Sequence, residues 1–177
     1  MQLYLTAYME YFILIKIFLS FLFIAFLLVI SIDLLGRMYP RDITLAMSNS
    51  YFVSDRALYQ FISDINNEPK WRISLQKIEW IDREIPKWKE YYGKKDTLVF
   101  KGNIKAEALE FDCLPLSTGP LQFNRKYFVY SQDRLSFLKI EDSFSFSSPF
   151  LRFFAALFYN HEKYLRKELK NIDAIFS

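Results

Sequence analysis

The apolar and polar positions divide this chain into two unequal parts. Residues 11–32 read YFILIKIFLSFLFIAFLLVISI, an apolar run broken by one charge, Lys16. A helix of that length rises about 33 Å, enough for a hydrocarbon core of about 30 Å. The run lacks the polar face of an amphipathic core helix. It is also longer than a signal-peptide core of about 7–15 residues, and no small-residue cleavage site follows it. The pattern predicts an N-terminal segment over residues 1–10, a transmembrane anchor over 11–36, a linker over 37–42 and a folded body over 43–177. Tyr4, Tyr8 and Tyr11 suit an aromatic belt, and Lys16 is near enough to the helix end to snorkel. Arg37 and Arg41 after the run, against Lys16 before it, tip the positive-inside rule towards a cytoplasmic body. The expected location is therefore a membrane, crossed once.

After Pro40 the period changes. Ile43 to Val53 alternates as a strand, and Ser54 is placed to cap a helix in which Leu58, Phe61 and Ile62 share a face. Asn66-Asn67-Glu68-Pro69 starts a short turn or helix that ends near Trp71. Ile73 to Ile81 reads as a strand whose apolar phase switches near Gln76-Lys77, the mark of a bulge. Lys87–Tyr92, Thr97–Ala106, the stretch through Leu109, Phe111 and Cys113, Leu121–Tyr130 and Leu135–Phe146 read as further antiparallel strands. The turns between them are Gly93–Asp96, Ser117–Pro120 and Gln132–Arg134. One long amphipathic helix is expected to close the chain. Pro149 sits in its first turn, and an apolar stripe runs from Phe150 through Phe158, His161, Leu165 and Leu169 to Phe176. The predicted class is α+β, a curved antiparallel sheet wrapped around that helix.

Composition narrows the chemistry. The chain has one histidine and one cysteine, so zinc or iron ligation is not expected, and no catalytic residue, metal or cofactor is assigned. No phosphate-binding glycine loop or nucleophile elbow is present. The net charge of +3 comes from dispersed charges of both signs, which fits a solvated surface and gives no reason to expect nucleic acid. Aromatic residues make up 19% of the chain, which demands either a heavy core or a lined cavity. Cys113 reads as a small buried hydrophobe, and His161 as a hydrogen-bonded residue at the edge of the core or a polar group facing a ligand. Glu90 and the Glu141-Asp142 pair are the acid/base candidates, with solvated or lysine-paired roles as the ordinary alternative. Trp71, Trp80 and Trp88 suit either the core or a stacking surface.

Three stretches carry a family resemblance. SDRALYQFISDINNEPKW, KWKEYYG and SSPFLRFFAALFYNHEKYLRKELKNI resemble, in order and spacing, the first helix, a W-x-E strand and the closing helix of the START-like superfamily (SRPBCC, polyketide cyclase/dehydrase and lipid transport). The resemblance covers about residues 41–177 and implies a helix-grip fold; with one hydrophobic N-terminal segment ahead of the domain, as in many bacterial members, it also implies a bacterial inner membrane. The expected function is a membrane-anchored domain that binds a hydrophobic small molecule or lipid in an apolar cavity between sheet and closing helix. Trp71, Phe100, Ile104, Phe111, Phe123, Leu138, Phe154, Phe158 and His161 are its expected lining. The expected partners are the bilayer and that small molecule. Two other classes fit the same pattern. One is a cyclase- or dehydratase-like enzyme using a pocket carboxylate or His161; the other is an interaction module filled solid by its own aromatics.

Overall fold

The computed structural model describes residues 2–92, 97–105, 110–115, 121–158 and 160–177, with the side chains of 2–11, 103–105 and 110–115 left aside. Two of the expected turns, 93–96 and 117–120, and the expected strand residues Ala106 and Leu109 lie outside the described residues, as do the side chains of Tyr4, Tyr8, Tyr11 and Cys113.

Two compact units result: Met1–Pro40 with Ser148–Leu157, and Arg41–Ser147 with Phe158–Ser177. In the first, helix α1 (Gln2–Met38) exposes its apolar side chains from Phe12 onward. It is long and apolar enough to cross a membrane. Near its end stands Gly36, and a Cβ there would overlap the backbone carbonyl of Pro149. Glycine is what lets the two segments approach so closely. Pro149 opens the ten-residue helix α4 (Pro149–Phe158).

The second unit is a seven-stranded antiparallel sheet in the order β1-β7-β6-β5-β4-β3-β2. Its strands are β1 (Asp42–Tyr51), β2 (Lys77–Asp82), β3 (Lys87–Tyr91), β4 (Thr97–Lys105), β5 (Glu110–Pro115), β6 (Leu121–Gln132) and β7 (Leu135–Phe146). The long connection from β1 to β2 carries α2 (Asp55–Ser63), a 3-10 turn at Ile65–Asn67 and α3 (Glu68–Trp71). Ser54 caps α2 by accepting from the Ala57 amide. Helix α5 (His161–Phe176) closes the unit.

Strand periodicity decides what is inside. Along β7, Ser136, Leu138, Ile140, Asp142, Phe144 and Phe146 are all buried while the alternate positions are only half-buried. Along β6, Arg125, Tyr127 and Val129 do the same. Against these inward residues pack Leu58 and Ile62 of α2, Ile65, Trp71, Trp88 of β3, Phe100 of β4, and Leu165, Leu169 and Ile172 of α5. Trp71 meets Tyr127 edge-on at 5.9 Å, and Trp88 stacks on Phe100 at 6.0 Å.

Three local differences from the sequence expectation have physical causes. The expected strand from Ile73 begins only at Lys77, because Ser74 is left-handed (φ 66°) and turns the chain beforehand. The ladder irregularity falls instead between Trp80 and Asp82. The expected single closing helix is two helices: α4 ends at Phe158, and Asn160 caps α5 by accepting from the Lys163 amide. The β6–β7 turn, by contrast, lies where the sequence places it. Gln132 pairs with Leu135, leaving Asp133 (φ 52°) and Arg134 (φ 68°) as a two-residue loop with both centres left-handed.

Candidate functional site

The inward phase of the strands carries charge as well as hydrocarbon. Arg125 of β6 and Asp142 of β7 are register partners, and the guanidinium holds the carboxylate with two bonds of 2.6 Å, from Nε and from Nη2. His161, the first residue of α5, places Nε2 2.5 Å from Asp142 Oδ2. Burial works to raise the Asp142 carboxyl, but Arg125 and His161 outweigh it and hold it below the usual carboxylate range. Since Asp142 is then ionised, His161 Nε2 carries the proton and donates it.

A second buried cluster adjoins. Arg72, the residue that ends α3, donates to Glu68 one turn earlier, to Glu90 of β3 (2.8 Å) and to the Tyr92 hydroxyl (2.5 Å). Glu90 also accepts from Trp88 Nε1 (2.8 Å) and from Tyr92. Glu168 of α5 lies between the two arginines, 3.0 Å from Arg125 Nη1 and 4.0 Å from Arg72 Nε. Glu68, Glu90, Glu168 and Asp142 have no exposed surface at all.

Four buried carboxyl groups thus share two guanidinium groups. The imbalance shows at Glu68. Burial, opposed by Arg72 and reinforced by Glu90, pushes its carboxyl up to about 7. The two arginines stay charged, their guanidinium groups raised by Glu68 and Glu90 around Arg72 and by Glu168 and Asp142 around Arg125, against the opposing effect of burial. Burial also raises the Tyr92 hydroxyl, and raises that of Tyr164 to about 12, so both are neutral donors at neutral pH.

Beside this charged floor is a cavity of about 340 Å³. Its apolar wall comes from Leu98, Phe100, Leu121, Phe123 and Phe144, and its polar wall from Arg72, Tyr92, Arg125, His161 and Tyr164. Leu98 and Leu121 are each about 40% exposed, so the cavity meets solvent on their side. The volume is at the lower end of the roughly 300–1,000 Å³ typical of small-molecule sites.

Of the residues expected from sequence to line a pocket, Phe100, Phe123 and His161 come together here. Trp71 and Leu138 lie fully buried in the packed core. Phe154 and Phe158 lie on α4 and are exposed, and the side chains of Ile104 and Phe111 are outside those described. Arg72, Arg125, Tyr92 and Tyr164 were not singled out in the sequence. Arg125 had a legible signal, since it shares the inward phase of Tyr127 and Val129. Among the described residues, no group of three His, Cys, Asp or Glu side chains is arranged to hold a metal ion.

The Zhui aromatase/cyclase from a Streptomyces species superposes with a TM-score of 0.61 at 10% identity, over 74% of this chain and 91% of that one. A START superfamily protein from Mycobacterium smegmatis gives 0.58 at 11%, over 76% and 99%. XoxI from Bacillus cereus gives 0.59 at 13%, over 75% and 94%. The fold is START-like. No protein-family model matches the chain, and no curated protein does. At these identities the likeness speaks for the START-like architecture and not for a particular activity.

Proposed function

We propose that the START-like unit binds a compact apolar molecule carrying a neutral polar group, and that α1 moors the protein in a bilayer. The observation that carries this reading is the two-sided cavity. Five apolar side chains face two buried arginines, two neutral tyrosine hydroxyls and a histidine. Apolar walls supply affinity, and the few polar groups of the opposite wall fix the orientation of the ligand's polar end. The modest volume favours a ring-sized or short-chain molecule over a long acyl chain. Anchoring would hold the domain where an apolar ligand is concentrated. On the sequence's charge asymmetry the body faces the cytoplasm of a bacterial cell, which a C-terminal reporter fusion tests.

The binding test is native mass spectrometry of the full chain in detergent after incubation with an organic extract of membranes. A retained mass of a few hundred daltons is the expected result. A chain that always emerges empty overturns the reading.

A second reading, cyclase-like proton chemistry, is favoured by one specific arrangement. Asp142 holds the His161 imidazole at the cavity wall, the geometry that orients an acid/base histidine. Aromatase/cyclases also occur among the structural neighbours. His161→Gln would keep a donor towards Asp142 while abolishing turnover; a ligand-binding protein without chemistry would still retain its ligand.

A further inference from the structure

A second recess lies in the START-like unit, at the other end of α5 from the cavity. His161 opens that helix at the cavity wall, and Asp173 stands more than three turns later, a rise of about 18 Å. There Asn49, Tyr51 and Phe52, at the end of β1 and just beyond it, meet Asp173 and Phe176 of α5 around a space of about 390 Å³. That space is large enough for a small molecule, and these five residues take no part in the first cavity.

The rings come from two directions. Tyr51 ends β1 pointing inward, 3% exposed, and meets Phe176 edge-on at 5.8 Å. Phe61 of α2 also meets Phe176, at 5.0 Å, which fixes that ring in place. Phe52 stands at the rim with its ring 93% exposed.

Charge and hydrogen bonding are left unbalanced here. Asn49 Nδ2 donates to Asp173 Oδ1 (2.5 Å), but no described lysine or arginine pairs with that carboxylate, and α5 has no basic residue in its last turn. The Tyr51 hydroxyl is buried in the recess and completes no hydrogen bond. Burial, with Asp173 beside it, raises this hydroxyl far above the ordinary phenol range, so it stays protonated. A buried hydroxyl without a partner is costly, as is a carboxylate without a counter-charge.

One ligand chemistry answers each of these features. A protonated amine neutralises Asp173, gives an N–H to the Tyr51 oxygen, and lays its charge and alkyl stem against the rings of Phe52 and Phe176. An anion is repelled by Asp173, and a plain hydrocarbon leaves the carboxylate and the hydroxyl unsatisfied. We infer that this recess is a second binding site, for the ammonium group of a small primary amine. Its occupancy depends neither on the ligand of the first cavity nor on the membrane anchor.

Ligand-observed NMR titration of the full chain tests this in maltoside micelles, whose headgroups carry no ammonium. The probes are n-butylammonium, the neutral 1-butanol of the same length, and tetramethylammonium. Butylammonium is expected to bind saturably, and 1-butanol at least tenfold more weakly. Tetramethylammonium has no N–H to give and should bind several-fold more weakly than butylammonium. Asp173→Asn should weaken butylammonium at least tenfold, and Phe52→Ala about threefold. Phe52 is so exposed that its truncation leaves the fold intact, so this variant decides alone if Asp173→Asn does not fold. Butylammonium held no better than 1-butanol overturns the inference, as does tetramethylammonium held as tightly as butylammonium. Butylammonium affinity unchanged by Phe52→Ala overturns it too.

Discussion

Arg125 and Asp142 face each other across the β6–β7 ladder, and their fork-to-fork contact is wholly buried. The same carboxylate receives His161, and the same guanidinium approaches Glu168, so this pair ties α5 to the sheet. Removing one partner leaves a buried charge uncompensated, which costs far more than losing the pair as a whole. Arg125→Met is therefore expected to destabilise the protein by about 3–5 kcal/mol, and Arg125→Met with Asp142→Leu by less than Arg125→Met alone. Denaturant titration of the full chain in detergent, read as a double-mutant cycle, checks the order of the two.

Glu68 gives the stability a pH dependence with a definite sign. Its folded-state carboxyl is raised from 4.5 to about 7, so the folded state holds a proton that the unfolded chain releases. Its favourable contribution is complete below about pH 4.5 and is lost as pH rises towards 7. The loss is of the order of 3 kcal/mol. Asp142, held low, works oppositely and loses its contribution only as pH falls through the acid range. Glu68→Gln should flatten the decline between pH 5 and 7, seen as a denaturation midpoint that no longer falls over that interval.

Phe123 separates binding from folding, because it lines the cavity and is only partly buried. Phe123→Trp places more ring volume in a small cavity. The retained ligand mass should fall at least tenfold while the thermal midpoint stays within a few degrees. Ile85→Ala, at an exposed site away from the cavity, should change neither.

The Asp133-Arg134 turn holds two left-handed residues that are not glycine. Each carries a cost that Asn-Gly would relieve, since that pair is the favoured one for a loop of this kind. Replacing Asp133-Arg134 by Asn-Gly should raise stability by about 1 kcal/mol, measured by thermal unfolding.

Much of this architecture was legible in the amino-acid order, and the exceptions follow a rule. Alternation marked β4, β6 and β7, and Ser54 marked the start of α2, because strand phase and helix caps are local properties. The break between α4 and α5 was hidden because the apolar stripe resumes in the same phase beyond it; the overlooked signal was Asn160 with Glu162 in the next turn. The charged site was hidden for a different reason. Periodicity shows that Arg125 and Asp142 point inward, and that Glu168 lies between Leu165 and Leu169 on the buried face of α5. It does not show that two strands and one helix bring these three to one place. Partner choice is tertiary, so Arg72 and Glu68 had no legible role until the sheet was seen.

The order of synthesis meets the sheet's topology in an unfavourable way. Edge strand β1 has a single partner, β7, and Asp42 must wait for Ser145 before it can pair. A ribosome would by then have released α1 and nearly the whole sheet, so β1 spends most of translation as an open, unpaired edge. Nascent chains of this protein should accordingly depend on holding chaperones until the last strand emerges, and truncations that remove β7 should be cleared by proteolysis rather than accumulate.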